Sequence, residues 1–137
     1  MKIVIVGGVA GGASVAARVR RIDEKAQIIM FERNSYVSFS NCALPYYLSG
    51  EINDSDRLIL MSPEKFKKQY NIEARINSEV VSINREQKSV QVKNLLTGEI
   101  FTETYDKLVL APGANPILPK SISGIQNKHV FSVRNVG

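Results

Sequence analysis

Tryptophan is absent from this sequence, and cysteine and histidine occur once each, as Cys42 and His129. One cysteine excludes an intrachain disulfide framework and fits a reducing compartment. No cluster with metal-ligand spacing exists, so no metal site is expected. No apolar run approaches the roughly 18 residues of a membrane span. The amino end, Met1-Lys2-Ile3-Val4, enters a strand directly with no signal-peptide pattern, and a cytoplasmic location without a membrane partner is the expectation. A polybasic run is missing too. The net charge of +5 would suit phosphate, but the 18 lysines and arginines are scattered, with no RNA-binding aromatic motif among them. Nucleic acid is therefore not an expected partner. What is present is a 44% hydrophobic fraction over 137 residues, enough for one domain with a real core.

Residues Lys2 to Val6 form an unbroken, largely β-branched run that meets glycines at once, which is how a buried parallel strand enters a βα turn. Gly7-Gly8-Val9-Ala10-Gly11-Gly12 is that turn. In the dinucleotide fingerprint the first glycine makes the tight turn, the second lets a pyrophosphate approach, and the third allows close packing of helix on strand. The first and third fall on Gly7 and Gly12, while Val9 stands at the second. A helix from about Gly11 to Glu24 is predicted next, then a strand over Ala26 to Phe31. Glu32 follows 20 residues after Gly12, the spacing at which a carboxylate reaches a ribose hydroxyl. Together these features predict a βαβ dinucleotide site.

The predicted helix has two faces. Val15, Val19 and Ile22 make an apolar stripe expected to pack on the sheet. Ser14, Arg18, Arg21 and Lys25 make another, readable as a solvated basic face or as a site for a phosphate-rich ligand.

Cys42 sits in Ser38-Phe39-Ser40-Asn41-Cys42-Ala43-Leu44-Pro45-Tyr46-Tyr47-Leu48-Ser49-Gly50. Ser40 and Asn41 are good N-cap residues, Pro45 is tolerated near a helix start, and Gly50 is a natural stop. A short helix with Cys42 in its first turn is predicted. A free cysteine, with a pKa of about 8.5, is mostly thiol at neutral pH, whereas a helix N-terminus favours the anion. Only the thiolate attacks disulfides. The alternative is a cysteine serving as a small buried hydrophobe.

Further along, Glu51 to Leu60 is a polar connection with no period. Ser62-Pro63-Glu64 marks a helix running to about Tyr70. Strands are predicted at Ile72 to Arg75, Val80 to Asn84, Ser89 to Lys93 and Glu99 to Tyr105, the last three as an antiparallel meander. Asp106 to Ala114 returns to a buried strand closed by a glycine turn. Ile117 to Gly124 reads as loop, and His129 to Val133 as a last short strand. No catalytic role is expected of His129.

The run Ser38-Phe39 to Asn41-Cys42-Ala43-Leu44-Pro45-Tyr46 resembles the active-site segment of the coenzyme A-disulfide reductases, the single-cysteine branch of the flavin-dependent pyridine nucleotide-disulfide oxidoreductases. The resemblance runs from Met1 to Gly137. Two-cysteine relatives carry a second cysteine five residues after the first, where this chain has Tyr47. It implies an α/β fold: a Rossmann-type FAD-binding domain with a central parallel sheet and an inserted antiparallel β-meander. It also implies that residues 1–137 are the amino-terminal part of that domain, without the nicotinamide-binding and dimerisation domains.

On this resemblance FAD is the cofactor and NAD(P)H the co-substrate, with a homodimer expected for the full-length parent. FAD would be held by Gly7, Gly8, Val9, Ala10, Gly11, Gly12, Glu32 and Arg33, and by the second flavin motif at Ala111, Pro112 and Gly113. Arg33 would stack on the adenine or be solvated. Coenzyme A or its disulfide would meet Ser14, Arg18, Arg21, Ser38 and Asn41. Cys42 would form a mixed disulfide with it, with Asn41 and Ser38 positioning the sulfur. A family lysine late in the helix ending at Tyr70 is replaced by Tyr70 itself, with Lys67 and Lys68 nearby. The implied activity is NAD(P)H-dependent reduction of coenzyme A disulfide, with the 137-residue chain inactive and weak in FAD affinity by itself. Two alternatives stay open. One is an NADH oxidase, peroxidase or persulfide reductase using a sulfenic acid or persulfide at Cys42, although the peroxidases carry a histidine where this chain has Ala10. The other is a non-catalytic nucleotide-binding fragment.

Overall fold

A computed structural model describes residues 1–136; Gly137, the last residue of the domain as read from sequence, lies outside the described residues. In chain order the regular elements are β1 (Lys2–Val6), α1 (Ala10–Ile22), β2 (Gln27–Phe31), α2 (Leu44–Leu48), α3 (Pro63–Tyr70), β3 (Ile72–Arg75), β4 (Ser78–Asn84), β5 (Ser89–Asn94), β6 (Ile100–Thr104) and β7 (Lys107–Leu110). Four strands form a parallel sheet in the order β3-β2-β1-β7, and β4-β5-β6 form a separate antiparallel meander. This is the Rossmann-type architecture expected from the sequence.

Successive side chains of β1 and β2 enter opposite cores, which is why both strands read as continuous apolar runs. Ile3, Ile5, Ile28 and Met30 pack with Ala16 of α1 and Phe66 of α3, whereas Val4, Ile29 and Phe31 pack with Val90 and Val92 of the meander. Arg75 fastens the two sheets at one edge. Its guanidinium lies 5.4 Å from the Phe31 ring centre and 5.7 Å from that of Phe101, and it pairs with Glu103, which Lys2 also engages. Cation–π contact and ion pairing here act on half-buried groups, where screening by water is reduced.

α1 departs from the predicted helix at both ends and in its contact face. It begins at Ala10, and Asp23 is already extended. The stripe Val15, Val19, Ile22 holds in part: Val15 and Val19 are partly buried against the sheet core, whereas Ile22 is 71% exposed, and the buried positions of the helix are Gly12 and Ala16. The close approach of helix to sheet admits only small residues at the contact, so the larger apolar side chains flank it. α3 follows its sequence signals closely. Ser62 caps it by accepting from the Lys65 N–H, and Asn71 closes it in the left-handed region. The Ser62 hydroxyl, with the backbone N–H of Glu64, holds the Glu64 carboxyl below its usual value.

Cys42 is not in the first turn of an α-helix. Asn41–Ala43 form a 3-10 turn, α2 begins only at Leu44, and neither Ser40 nor Asn41 gives a side-chain cap. Pro45 supplies the reason, because it has no N–H to donate to the Asn41 carbonyl in an i→i−4 bond. The Leu44 N–H bonds that carbonyl instead, one residue short, and the turn tightens.

The polar connection from 51 to 60 is also more ordered than its composition suggests. Ser55–Leu58 form a 3-10 turn, Leu58 is fully buried beside Phe39 and Leu44, and Phe39 bridges to Ile59. Leu58→Ala is expected to destabilise the domain by about 2–5 kcal/mol, the usual range for a buried leucine. A lower urea midpoint at unchanged m-value would record it; an unchanged midpoint would mean that this core does not bear on global stability. The strand predicted at His129–Val133 does not form. That segment is turn and irregular chain, Phe131 is 82% exposed, and none of the described strands pairs with it. Among the described residues no helix is long and apolar enough to cross a membrane.

Candidate functional site

The glycine turn after β1 is shaped by contacts that leave no room for side chains. Gly7 has φ +95°, and a Cβ there would lie 2.0 Å from the Ala111 carbonyl oxygen. A Cβ on Gly12 would lie 1.8 Å from the Gly7 oxygen, and one on Gly8 2.8 Å from Val37 Cγ1. Val9 occupies the N-cap position of α1, with no side-chain cap and no acidic residue in the first turn. The first N–H groups of a 13-residue helix are therefore left without side-chain acceptors at the turn.

Glu32 is buried where the two sheets diverge. Its backbone N–H donates to Arg75 O, and its carbonyl accepts from the Ser78 N–H. The carboxylate accepts from Gly8 N at 2.8 Å through Oε2, and from Asn34 N and Nδ2 at 2.9 and 2.7 Å through Oε1. These three bonds leave about one acceptor site of the carboxylate.

Two grooves adjoin at this turn and share Val9, Phe39, Ala111, Gly113 and Arg134 as walls. The first also holds Gly7, Glu32, Arg33 and Pro112. Arg33 is exposed and donates to Asn115 Oδ1 at 2.9 Å. The second holds Ala10, Gly11, Ser14, Ser38, Asn41 and Cys42. Gly8 and Gly12 line neither groove, being buried beneath them. Cys42 is a free, exposed thiol, and its Sγ lies 3.4 Å from Ser40 Oγ. Ser38 has φ +47°, an uncommon conformation for a residue with a side chain. It is pinned there by its N–H to Gly8 O and its carbonyl to Leu60 N.

Arg18 and Arg21 line neither groove. Both are exposed on α1, four and seven residues along from Ser14, and neither joins an ion pair among the described residues. Lys67, Lys68 and Tyr70 also lie outside both grooves; Lys67 Nζ donates to Asn71 Oδ1 at 3.0 Å. Three residues went unassigned from sequence. Arg134, which donates to Ala114 O at 2.8 Å and lies over Gly113, is brought in from 20 residues downstream with no local signal. Asn34 holds Glu32. Ser40 suits a cap by residue type, yet its hydroxyl meets the thiol.

Fold and glycine turn define a Rossmann-type dinucleotide domain with an exposed thiol on the adjoining groove. The chain belongs to the pyridine nucleotide-disulphide oxidoreductase family, which matches residues 1–137. It is 42% identical over 135 residues to coenzyme A disulfide reductase of Staphylococcus aureus (strain JH9), a match covering 98% of this chain and 30% of that relative. The chain therefore spans less than a third of the curated protein's length. Among solved structures it is similar to reduced Bacillus anthracis CoADR-RHD, with TM-score 0.93 and 53% identity over 98% of this chain and 24% of that one. An NAD-dependent persulfide reductase from A. fulgidus aligns with TM-score 0.90 and 36% identity, over 97% of this chain and 24% of the other.

Proposed function

We propose that residues 1–137 are the amino-terminal part of the FAD-binding domain of an NAD(P)H-dependent disulfide oxidoreductase that reduces coenzyme A disulfide through Cys42. The observation that carries this reading is the shared wall: an exposed thiol lies on a groove continuous with the glycine turn. The cofactor fits the residues present. Gly7, Gly8 and Gly12 tolerate no Cβ and so let the turn pack closely on the sheet, and the first N–H groups of α1, left without a side-chain cap, suit a pyrophosphate. The remaining acceptor site of Glu32 suits a ribose hydroxyl. Ala111, Pro112 and Gly113 close the same groove. When bound, FAD supplies the two electrons that disulfide reduction requires, taken as hydride from NAD(P)H.

On the protein's side, the Cys42 thiolate attacks one sulfur of coenzyme A disulfide. One coenzyme A thiolate leaves, and a Cys42–coenzyme A mixed disulfide forms. Two electrons and a proton then release the second coenzyme A and restore the Cys42 thiolate. Ser38 and Asn41 flank the sulfur in the groove, and Ser14 lines its α1 side. Arg18 and Arg21 extend that helix face with two unpaired cations, suited to the phosphates of the nucleotide end.

Changing Arg18 and Arg21 together to alanine is expected to raise KM for coenzyme A disulfide roughly a hundredfold. That estimate takes about 1.5 kcal/mol per exposed charge-assisted contact. KM for a small neutral disulfide should not move. Steady-state kinetics of the intact enzyme decides it, and equal effects on both substrates would leave the arginines as solvated surface.

A second reading, supported by the similarity to the persulfide reductase, has Cys42 accept a sulfane sulfur in place of a thiol. The modification found on Cys42 distinguishes the two.

A further inference from the structure

We propose that Ser40 is a positioning residue for Cys42, its hydroxyl donating to Sγ and stabilising the sulfur as the anion. The proposal deepens the reading of Cys42 as the nucleophile and rests on it. Ser40 stands at the N-cap of the 3-10 turn, yet its side chain bonds no backbone N–H of that turn. Its Oγ lies instead 3.4 Å from Cys42 Sγ, an ordinary separation for a hydrogen bond to sulfur. The backbone that carries the hydroxyl is held from both sides: Ser40 N–H donates to the carbonyl of fully buried Leu58 at 2.8 Å, and Ser40 carbonyl accepts from Ala43 N–H at 3.2 Å. The neighbouring Phe39 is buried and bridged to Ile59. The main chain at Ser40 therefore has little freedom left to lose when the bond forms.

Direction follows from the inventory of donors. Toward a neutral thiol either atom can donate, and both roles of sulfur are weak. Toward a thiolate only the hydroxyl can donate, and a bond to an ionised acceptor is roughly twice as strong. The hydrogen bond therefore favours the charged form over the neutral one. Arg134 is the one other charged or titratable side chain among the described residues of this groove, which draws on α1, the segment 38–42, Leu60, the turn at 111–113 and the tail. Its long-range attraction for an anion is screened by salt, whereas a contact hydrogen bond is not.

The test is the rate of alkylation of Cys42 by iodoacetamide from pH 5 to 10, read on the Cys42 peptide of the holoenzyme after mild reduction has freed the thiol, at low and high ionic strength. In Ser40→Ala the profile should move upward by about one pH unit, a tenfold lower thiolate fraction at fixed pH below the profile. Because a more basic thiolate is about threefold more nucleophilic, the rate at that pH should fall only three- to fourfold. The displacement should persist at high salt. Ser40→Thr, which keeps the hydroxyl, should retain the original profile. A Ser40→Ala profile that coincides with the unaltered one overturns the proposal, as does a Ser40→Thr profile displaced as far as the alanine one. Alkylation needs no turnover, so the outcomes separate. An unmoved profile with activity lost in Cys42→Ser sinks the Ser40 proposal alone. Full activity in Cys42→Ser sinks the nucleophile reading on which it rests.

Discussion

Cys42→Ser is expected to lower disulfide reduction by three or more orders of magnitude while leaving flavin bound, since a serine hydroxyl of similar size is far too weak an acid to serve as a comparable nucleophile. The side chain is exposed, so the exchange removes no core packing and the loss should be chemical. The oxidised intact enzyme should carry one coenzyme A on Cys42, seen as a mass difference before and after mild reduction and absent in the serine variant. With one cysteine in these 137 residues and Tyr47 five positions on, no second thiol in this segment can resolve the adduct internally. A sulfenic acid in place of the adduct would favour oxidase chemistry, and a persulfide the second reading. A serine variant at full rate would defeat every reading that makes Cys42 the redox centre.

The other large effect is expected at the glycine turn. Gly12→Val should yield protein without bound flavin and with reduced stability, because the new Cβ would sit 1.8 Å from the Gly7 oxygen. That atom is backbone and cannot swing aside. Either α1 moves off the sheet or the turn opens, and both spoil the shape on which the proposed pyrophosphate site depends. Overpacking typically costs about 1–3 kcal/mol where neighbours can adjust; here the neighbour cannot, and the value should lie at or above that range, against a total stability of about 5–15 kcal/mol. The visible spectrum and flavin released on heating report the first effect, and thermal unfolding the second. A Gly12→Val protein as yellow and as stable as its parent would remove the glycine turn from the cofactor site. An unaltered intact enzyme that is itself colourless would remove FAD.

Features set by neighbours in sequence were legible before the structure. The runs at β1 and β2, the glycine turn between them and the Ser62-Pro63 helix start all act over a few residues, and each formed where expected. Features set by approach in space were not. Ile22 fits the helical stripe by period, but the sheet comes closest at Gly12 and Ala16, whose small size no apolar periodicity registers. Leu58 is a single apolar residue in a polar stretch, so no pattern announces its burial. At Cys42 the local signals conflict: Ser40 and Asn41 favour an α-helical start, and Pro45 removes the N–H that such a start needs at that distance. Arg134 lies over Gly113 because the tail folds back, an outcome that no local residue choice encodes. Of the residues proposed for the site, the glycine turn, Glu32 and Cys42 were named from sequence, whereas the placing of Arg18 and Arg21 outside both grooves, the division into two grooves and the partner of Ser40 could not be read there.

The position of β1 also bears on how the chain is made. It is an inner strand of the parallel sheet, bonded on one side to β2 and on the other to β7, yet it is synthesised before every other described element. Lys2 finds its partner at Asp106, 104 residues later. At ribosomal rates of about 5–20 residues per second, that wait is roughly 5 to 20 s. During it one edge of Ile3, Val4 and Ile5 is unpaired, and the face of β1 that the meander will cover has no cover. The order of synthesis therefore makes an apolar strand bound for the middle of the sheet well before β7, the strand that pairs its second edge.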